Sequence, residues 1–470
     1  MSELWRRSAM ELAQLIASRQ ASSLDVVDAH LARIEAVNPK LNAVVRVLAD
    51  TARGQAAAAD RKVAAGEALG PLHGVPITVK ENIDMAGLPT TNGVVSLADA
   101  TAAMDAPVVE RMRAAGAIPI GRTNLPDFGM RVHTDSALHG LTRNPWDATL
   151  TAGGSSGGEG AALAAGMSPL GLGNDIGGSL RNPANACGIA SIRPTMGRVA
   201  DASSGPAADR QLAARMMAVQ GPMARRVADV RLGLAVLSGA HPRDPWSLDP
   251  PAPGPPPSRP IRVAVVAAPP GGSTDPVVSA AVRRASDALA GAGYDVVETA
   301  PPRYAEAVSV WSRFLFGDLA LAFPEMTALM GPDGRAFLEA ANAGAPPLAD
   351  PLDLSRVMVA RDSIARDWSM FMAEHPLILS PTWTTLPFTH GYDIAGPQSA
   401  AAVLELMRPV VPANLLGLPS ACVPAGLDPA TGLPVGVLLT GRRMRDEECL
   451  DAAEAVEAKL GLETPIDPRW

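Results

Sequence analysis

The chain has 470 residues, 47% of them apolar and 19% charged, against a usual charged share of about 25%. A single small module and a disordered chain are both excluded; the length would allow about three domains, although large α/β enzymes use as much in one. The net charge of −8, with no basic run longer than Arg442-Arg443 and nearby Arg445, leaves no footprint for a phosphate backbone, so nucleic acid is not an expected ligand. From the amino end, Ser8-Ala9-Met10-Glu11 has the form of a capping box, and apolar residues recur at helical spacing through Ile16. Residues 22–37 repeat the pattern and stop before Pro39, so a helical segment of two or three helices opens the chain, over about 1–65. The apolar run 74–79 reads as a buried strand, 107–115 as a helix and 117–120 as another strand, a βαβ-like alternation that predicts a mostly parallel sheet.

Two glycine-rich turns follow, at 153–158 and 173–179, separated by a small-residue helix at 160–165 and a short strand at 169–173. The proline-rich run 249–260 favours an extended conformation without a core of its own and is the best linker candidate. Beyond it the alternation resumes, with strands at 261–266 and 294–297 around a helix at 276–290. Further strands are expected at 377–380, 419–424 and 434–439, before a closing amphipathic helix at 446–460. No internal repeat is visible. The three cysteines are widely spaced and odd in number, which fits a reducing cytoplasm better than a disulfide framework. The first residues lack an apolar leader and no run of about 18 apolar residues occurs, so neither export nor a membrane span is expected.

Of the 40 basic residues only Lys40, Lys62, Lys80 and Lys459 are lysine. Lys80 stands apart because it ends the apolar run that begins at Gly74. Two readings are open there: a buried stem whose ammonium reaches water, or a site that arginine cannot serve because a guanidinium stays charged while an amine can be neutralised by burial. The turn 153–158 lacks the ending of a phosphate loop. Gly153 to Gly157 matches a nucleophile elbow with Ser155 as nucleophile, as in an α/β-hydrolase-type esterase, but 144–152 is not the strand such an elbow requires. At 173–179 a strand does precede, and consecutive N–H groups beside the Ser179 hydroxyl could build an oxyanion hole. Ser179 then needs a base. His73, His133 and His139 lie nearest in sequence, and each is more often a structural polar residue; a neutral Lys80 could do the same work. No His/Cys/Asp/Glu cluster has metal-ligand spacing.

With these residues in place the chain resembles the amidase-signature hydrolases. The resemblance rests on GVPITVKENID at 74–84, GRTNLPDFGM at 121–130, TRNPWD at 142–147, GGSSGGEG at 153–160 and GNDIGGSLRNPA at 173–184, and more weakly on GLPVGVLLTG at 432–441. It implies an α/β fold in which helices cover both faces of one large, mixed, mostly parallel sheet. A catalytic core over about 66–245 and a C-terminal part, about 261–470, would share that sheet as a single domain. It also implies a Ser-cisSer-Lys triad of Lys80 as base, Ser155 as relay on a non-prolyl cis peptide and Ser179 as nucleophile, with oxyanion N–H groups from Ile176, Gly177, Gly178 and Ser179. The spacings of 75 and 24 residues between the triad members agree with that pattern. Departures are Arg122 where lysine is usual, Ala152 where proline is common and Asn174 where threonine is common.

The reaction implied is hydrolysis of amides or related C–N acyl bonds, extending to carbamates (urethanes) and esters, without cofactor or metal, on a small-molecule substrate and water. A homodimer is one assembly state left open. Met130, Gly154, Trp311, Phe316 and Trp383 are the candidate pocket residues, with Phe314, Leu315 and Leu386 as further apolar candidates, and they favour an aryl or otherwise hydrophobic substrate. An alternative within the resemblance is the amide-cleaving component of a tRNA-dependent glutamine amidotransferase. Residues 356–375 lack the basic run expected of one.

Overall fold

The computed structural model describes residues 3–204, 211–251, 260–320, 322–345, 348 and 350–470. Its strands are β1 (Val44–Val47), β2 (Pro76–Lys80), β3 (Ile118–Thr123), β4 (Asp135–Ser136), β5 (Gly140–Leu141), β6 (Leu170–Asp175), β7 (Ala190–Arg193), β8 (Val219–Ala224), β9 (Arg262–Val265), β10 (Asp295–Glu298), β11 (Leu377–Pro381), β12 (Ser420–Leu427) and β13 (Pro434–Gly441). Apart from the hairpin β4–β5, they form one eleven-stranded sheet in the order β1-β3-β2-β6-β8-β7-β12-β13-β11-β9-β10. The sheet is mixed. Parallel pairing holds in the two flanks, β3-β2-β6 and β11-β9-β10, while the links from β6 through to β11 and the edge pair β1-β3 are antiparallel. Strands from both sides of the proline-rich run share it, joined at β7–β12. Of that run, residues 252–259 lie outside the described residues.

Helices cover both faces, because strand residues alternate between two apolar layers. Val435, Val437 and Leu439 of β13 enter one cluster and Leu438 the other; Leu377 and Leu379 of β11 oppose Ile378 in the same way. On β2, Ile77 and Val79 belong to the first of these layers, so Thr78 and Lys80 face the second, where the helices Gly157–Ala164 and Tyr304–Leu319 pack. That face holds the candidate site.

Most expected elements appear within a few residues of their predicted ends. The opening helix, Ala9–Ala17, carries the full capping box between Ser8 and Glu11. The second, Ser23–Leu41, runs through Pro39 rather than stopping before it. Pro39 removes one hydrogen bond from the last turn without stopping it, and Asn42 in the left-handed region ends the helix. Three strands of the large sheet, β1, β7 and β8, have no counterpart among the expected elements, and neither do the two-residue strands β4 and β5. β1 and β7 are four residues long, and β8 contains Gly221 and Pro222, which read as a turn in sequence. The three cysteines are free and buried. No helix of the described residues is long and apolar enough to cross a membrane.

Candidate active site

Three backbone features bring the expected residues together. Strand β2 ends at Lys80 and carries it to the carboxyl edge of the parallel block. The first glycine-rich turn leads into the helix Gly157–Ala164 and contains the non-prolyl cis bond Gly154-Ser155. Here glycine is sterically required: Gly153 has φ +78°, and a Cβ on Gly154 would lie 2.6 Å from the Arg131 carbonyl oxygen. The second turn leaves β6 and carries Ser179 just before the helix Arg181–Cys187. The turns are tied by the Ser156 N–H, which donates to the Ser179 carbonyl at 3.3 Å.

Lys80 has no solvent exposure. Its Nζ lies 2.7 Å from Ser155 Oγ and 2.7 Å from Asn174 Oδ1. Asn174 is itself oriented by donating Nδ2–H to Asn82 Oδ1 at 2.9 Å, so its oxygen faces the amine. The uncommon residue at 174 therefore has a definite use: the amine donates to Asn174 and can turn its lone pair to the Ser155 hydroxyl. Burial brings the Lys80 pKa down to about 7, against the upward pull of the Asp175 and Glu159 carboxylates. Behind the turn, Asp175 accepts from the Gly178 and Leu180 N–H groups and from Arg181 and Asn414. Burial opposes its ionisation, but the Arg181 guanidinium outweighs burial and holds this carboxyl well below the usual range.

One expectation needs correction. The Gly178 N–H is engaged by Asp175 Oδ1 at 2.8 Å, so it is not free for a developing oxyanion. The N–H groups of Ile176, Gly177 and Ser179 have no acceptor among the described residues and remain as the donor set. None of the histidines touches either serine. His133 meets the Thr151 hydroxyl, His73 the Ala59 carbonyl and His139 the Glu81 carboxylate. His241 pairs with Glu110 and His390 with the Ala148 carbonyl, while His375 stacks on Phe371. Ser155 thus meets a lysine and lacks the histidine partner that an α/β-hydrolase elbow requires.

Ser155 and Ser179 line one cavity of about 890 Å³, within the range of small-molecule sites. Its lining includes the apolar Phe128, Met130 and Ile176 with Gly129, and the polar Asn82, Asp84 and Asp201. A second, tighter compartment of about 50 Å³ opens beside Ser179, lined by Met130, Gly154, Trp311, Phe316, Phe337 and Met407 among others. Four of the five expected pocket residues therefore meet there. Trp383 does not. It is 1% exposed, stacks on Phe388 and donates its indole N–H to Asn182 Oδ1 at 2.9 Å. Asn182 in turn donates to the carbonyls of Gly154 and Gly177, so Trp383 braces the two turns from behind. Of the further apolar candidates Leu315 lines both spaces, Phe314 is fully buried core, and Leu386 packs in the cluster on the opposite face.

Sequence reasoning missed Phe128, Gly129, Phe337, Leu404 and Met407, which line these spaces, and Asn182, which lines the smaller one. Gly129 and Asn182 lie in or beside quoted motifs, whereas Phe337, Leu404 and Met407 reach the site from helices or their ends without a local signal. Arg131, which lines the smaller space, makes a fully buried double hydrogen bond to Asp393 through Nε and Nη2, at 2.8 and 3.0 Å, and its Nη1 has no partner among the described residues.

A buried lysine against a serine, beside a second serine at a turn of unengaged N–H groups, is an arrangement with the groups that acyl transfer needs. The Amidase family model matches residues 25–450, and the chain belongs to that family, the amidase-signature enzymes. It is 44% identical to an indoleacetamide hydrolase of Bradyrhizobium diazoefficiens, the match covering 98% of this chain and 87% of that one. It is 34% identical to the A subunit of the glutamyl-tRNA(Gln) amidotransferase of Acidothermus cellulolyticus, covering 97% and 95%. Among solved structures, a 6-aminohexanoate cyclic dimer hydrolase bound to its substrate superposes with a TM-score of 0.85 at 29% identity, over 99% of both chains.

Proposed function

We propose that this amidase-family enzyme hydrolyses hydrophobic amides of the arylacetamide kind through an ester formed on Ser179. The observation that carries the reading is the fully buried Lys80 amine, 2.7 Å from the Oγ of Ser155, a residue that lines the same cavity as Ser179. Neutral Lys80 accepts the Ser155 proton while Ser155 accepts that of Ser179. The Ser179 oxygen bonds to the substrate carbonyl carbon, and the carbonyl π pair moves onto its oxygen. The N–H groups of Ile176, Gly177 and Ser179 hold that charge. As the C=O bond re-forms the C–N bond breaks, and the leaving nitrogen takes the proton back along Ser155 from Lys80. Water then repeats the sequence on the acyl ester, giving the carboxylic acid and free Ser179.

The acyl group is assigned to the apolar part of the main cavity beside Ser179, with Phe128, Met130, Ile176 and Leu315, because the space of about 50 Å³ is smaller than the roughly 150 Å³ that holds a benzene ring. The small compartment shares part of that lining and is walled by Trp311. The Trp311 indole N–H donates to the Ile176 carbonyl at 3.2 Å, and its ring lies against Gly177, where a Cβ would come within 2.8 Å of it. An aromatic acyl chain suits the apolar lining, and the 44% identical relative is an indoleacetamide hydrolase. Aryl carbamates and esters present the same carbonyl and acylate the same serine. The amidotransferase reading shares the family but finds less support. In the small compartment Arg131 is the one charged side chain among the described residues; Asp393 holds its Nε and Nη2 and compensates its charge, while its buried Nη1 has no partner among the described residues. The test is ammonia or amine release from indole-3-acetamide, phenylacetamide, anilides and glutamine. Arylacetamide turnover lost in Ser179→Ala supports the proposal. Glutamine turnover without arylacetamide turnover refutes it.

A further inference from the structure

Glu159 is a fully buried carboxyl group that the steps above leave without a part. It sits in the first turn of the helix that follows Ser155 and points onto the same face of the sheet as Lys80. The register makes the juxtaposition tight. Thr78 precedes Lys80 by two residues and so shares its face; Thr123 is the strand partner of Lys80, and Gly171 the partner of Thr78. The Thr78 hydroxyl donates to Glu159 Oε1 and the Thr123 hydroxyl to Oε2, the latter at 2.7 Å. Gly171 provides the space, since a Cβ there would overlap the carboxyl group.

We infer that Glu159 is a positioning residue acting through Lys80: it clamps β2 and β3 to the start of the Ser155 helix and buries an ionisable group on the same patch as the amine. The inference rests on the reading of Lys80 as the base. Burial raises the Glu159 pKa to about 7, with the two threonine hydroxyls and Lys80 pulling the other way, so carboxyl and amine titrate in the same range. Ionised Glu159 favours charged, inactive Lys80; protonated Glu159 favours the free amine. The other groups facing the amine are Asp175 at the end of β6, whose charge is compensated by Arg181, and the neutral Ser155 and Asn174. From β3, Arg122 donates to the backbone carbonyls of Lys80, at 3.3 Å, and Ile83, at 2.8 Å.

The experiment is the pH profile of kcat/KM for parent, Glu159→Gln and Glu159→Asp on one uncharged amide. Glu159→Gln removes the charge and keeps the shape, so its acid limb is expected about one unit below the parent's. Glu159→Asp restores the charge and returns the limb toward the parent position, even with a lower plateau. A limb unmoved in Glu159→Gln, whatever its plateau, overturns the inference and leaves Lys80 as base untouched. A parent profile with no limb near pH 7 overturns the reading of Lys80 and the inference together. If Glu159→Gln does not accumulate as folded protein, Thr123→Val serves. Losing one donor keeps the carboxyl protonated to higher pH, which moves the limb in the same direction; an unmoved limb there also overturns the inference.

Discussion

Lowering the pH across neutrality is the mildest perturbation of the proposed base, because it leaves every atom of the fold in place. Only the neutral amine can accept the Ser155 proton. With a pKa of about 7 for Lys80, the neutral fraction rises from about 0.09 at pH 6 to about 0.9 at pH 8, a change of about tenfold. An ordinary lysine, at about 10.4, would be about 0.4% neutral at pH 8, and the rate would still climb about tenfold per unit there. The assay is kcat/KM for an uncharged arylacetamide between pH 5 and 10, which reports groups of the free enzyme. A single acid limb near 7 with a plateau above 8 is expected. A rate still rising through pH 9, or one falling between 6 and 8, would refute the burial argument.

The same burial has a consequence for stability. Because the folded pKa lies below the unfolded one, the unfolded chain binds more protons between pH 7 and 10, and stability should rise with pH across that window. Lys80→Met is therefore expected to be inactive yet more stable at pH 7, by up to about 4 kcal/mol, with the advantage shrinking toward pH 10 in urea titrations. Gly129 has φ +70°, and a Cβ there would lie 3.1 Å from Ser155 Oγ. Gly129→Ala should lower kcat by about tenfold or more through the displaced relay, with KM little changed in steady-state assays. Asp175→Asn leaves Arg181 buried without its carboxylate and should cost about 3–5 kcal/mol in chemical denaturation. Phe316→Ala opens the small compartment and should move the preference, read as ratios of kcat/KM, toward bulkier aryl groups.

What can be read from the chain follows local chemistry. The isolated lysine at the end of an apolar run and the two glycine-rich turns are contiguous signals, and the resemblance they carry places Lys80, Ser155 and Ser179, which the fold brings to one cavity. β7 and β8 are not legible because one is a four-residue strand and the other carries Gly221 and Pro222, and long-range pairing overrides both signals. The pocket is legible in part. Trp311 and Phe316 project from one helix onto the site, whereas Trp383, equally aromatic, turns its N–H to Asn182 and supports the turns from behind. Gly178 reads as a free donor because a glycine turn exposes its N–H groups, and a carboxylate three residues earlier claims this one. The use of Asn174 depends on Asn82, 92 residues away, and no local pattern points to it.

The central claim is that Ser179 carries the acyl group. Incubation with an aryl carbamate, whose carbamoyl ester turns over slowly, followed by intact-mass and peptide mass spectrometry, tests it most directly. One carbamoyl group per chain on the peptide containing Ser179, absent from Ser179→Ala and Lys80→Met, is the predicted result. A stoichiometric adduct on Ser155, or acylation of Ser179 at the parent rate in Lys80→Met, would contradict it.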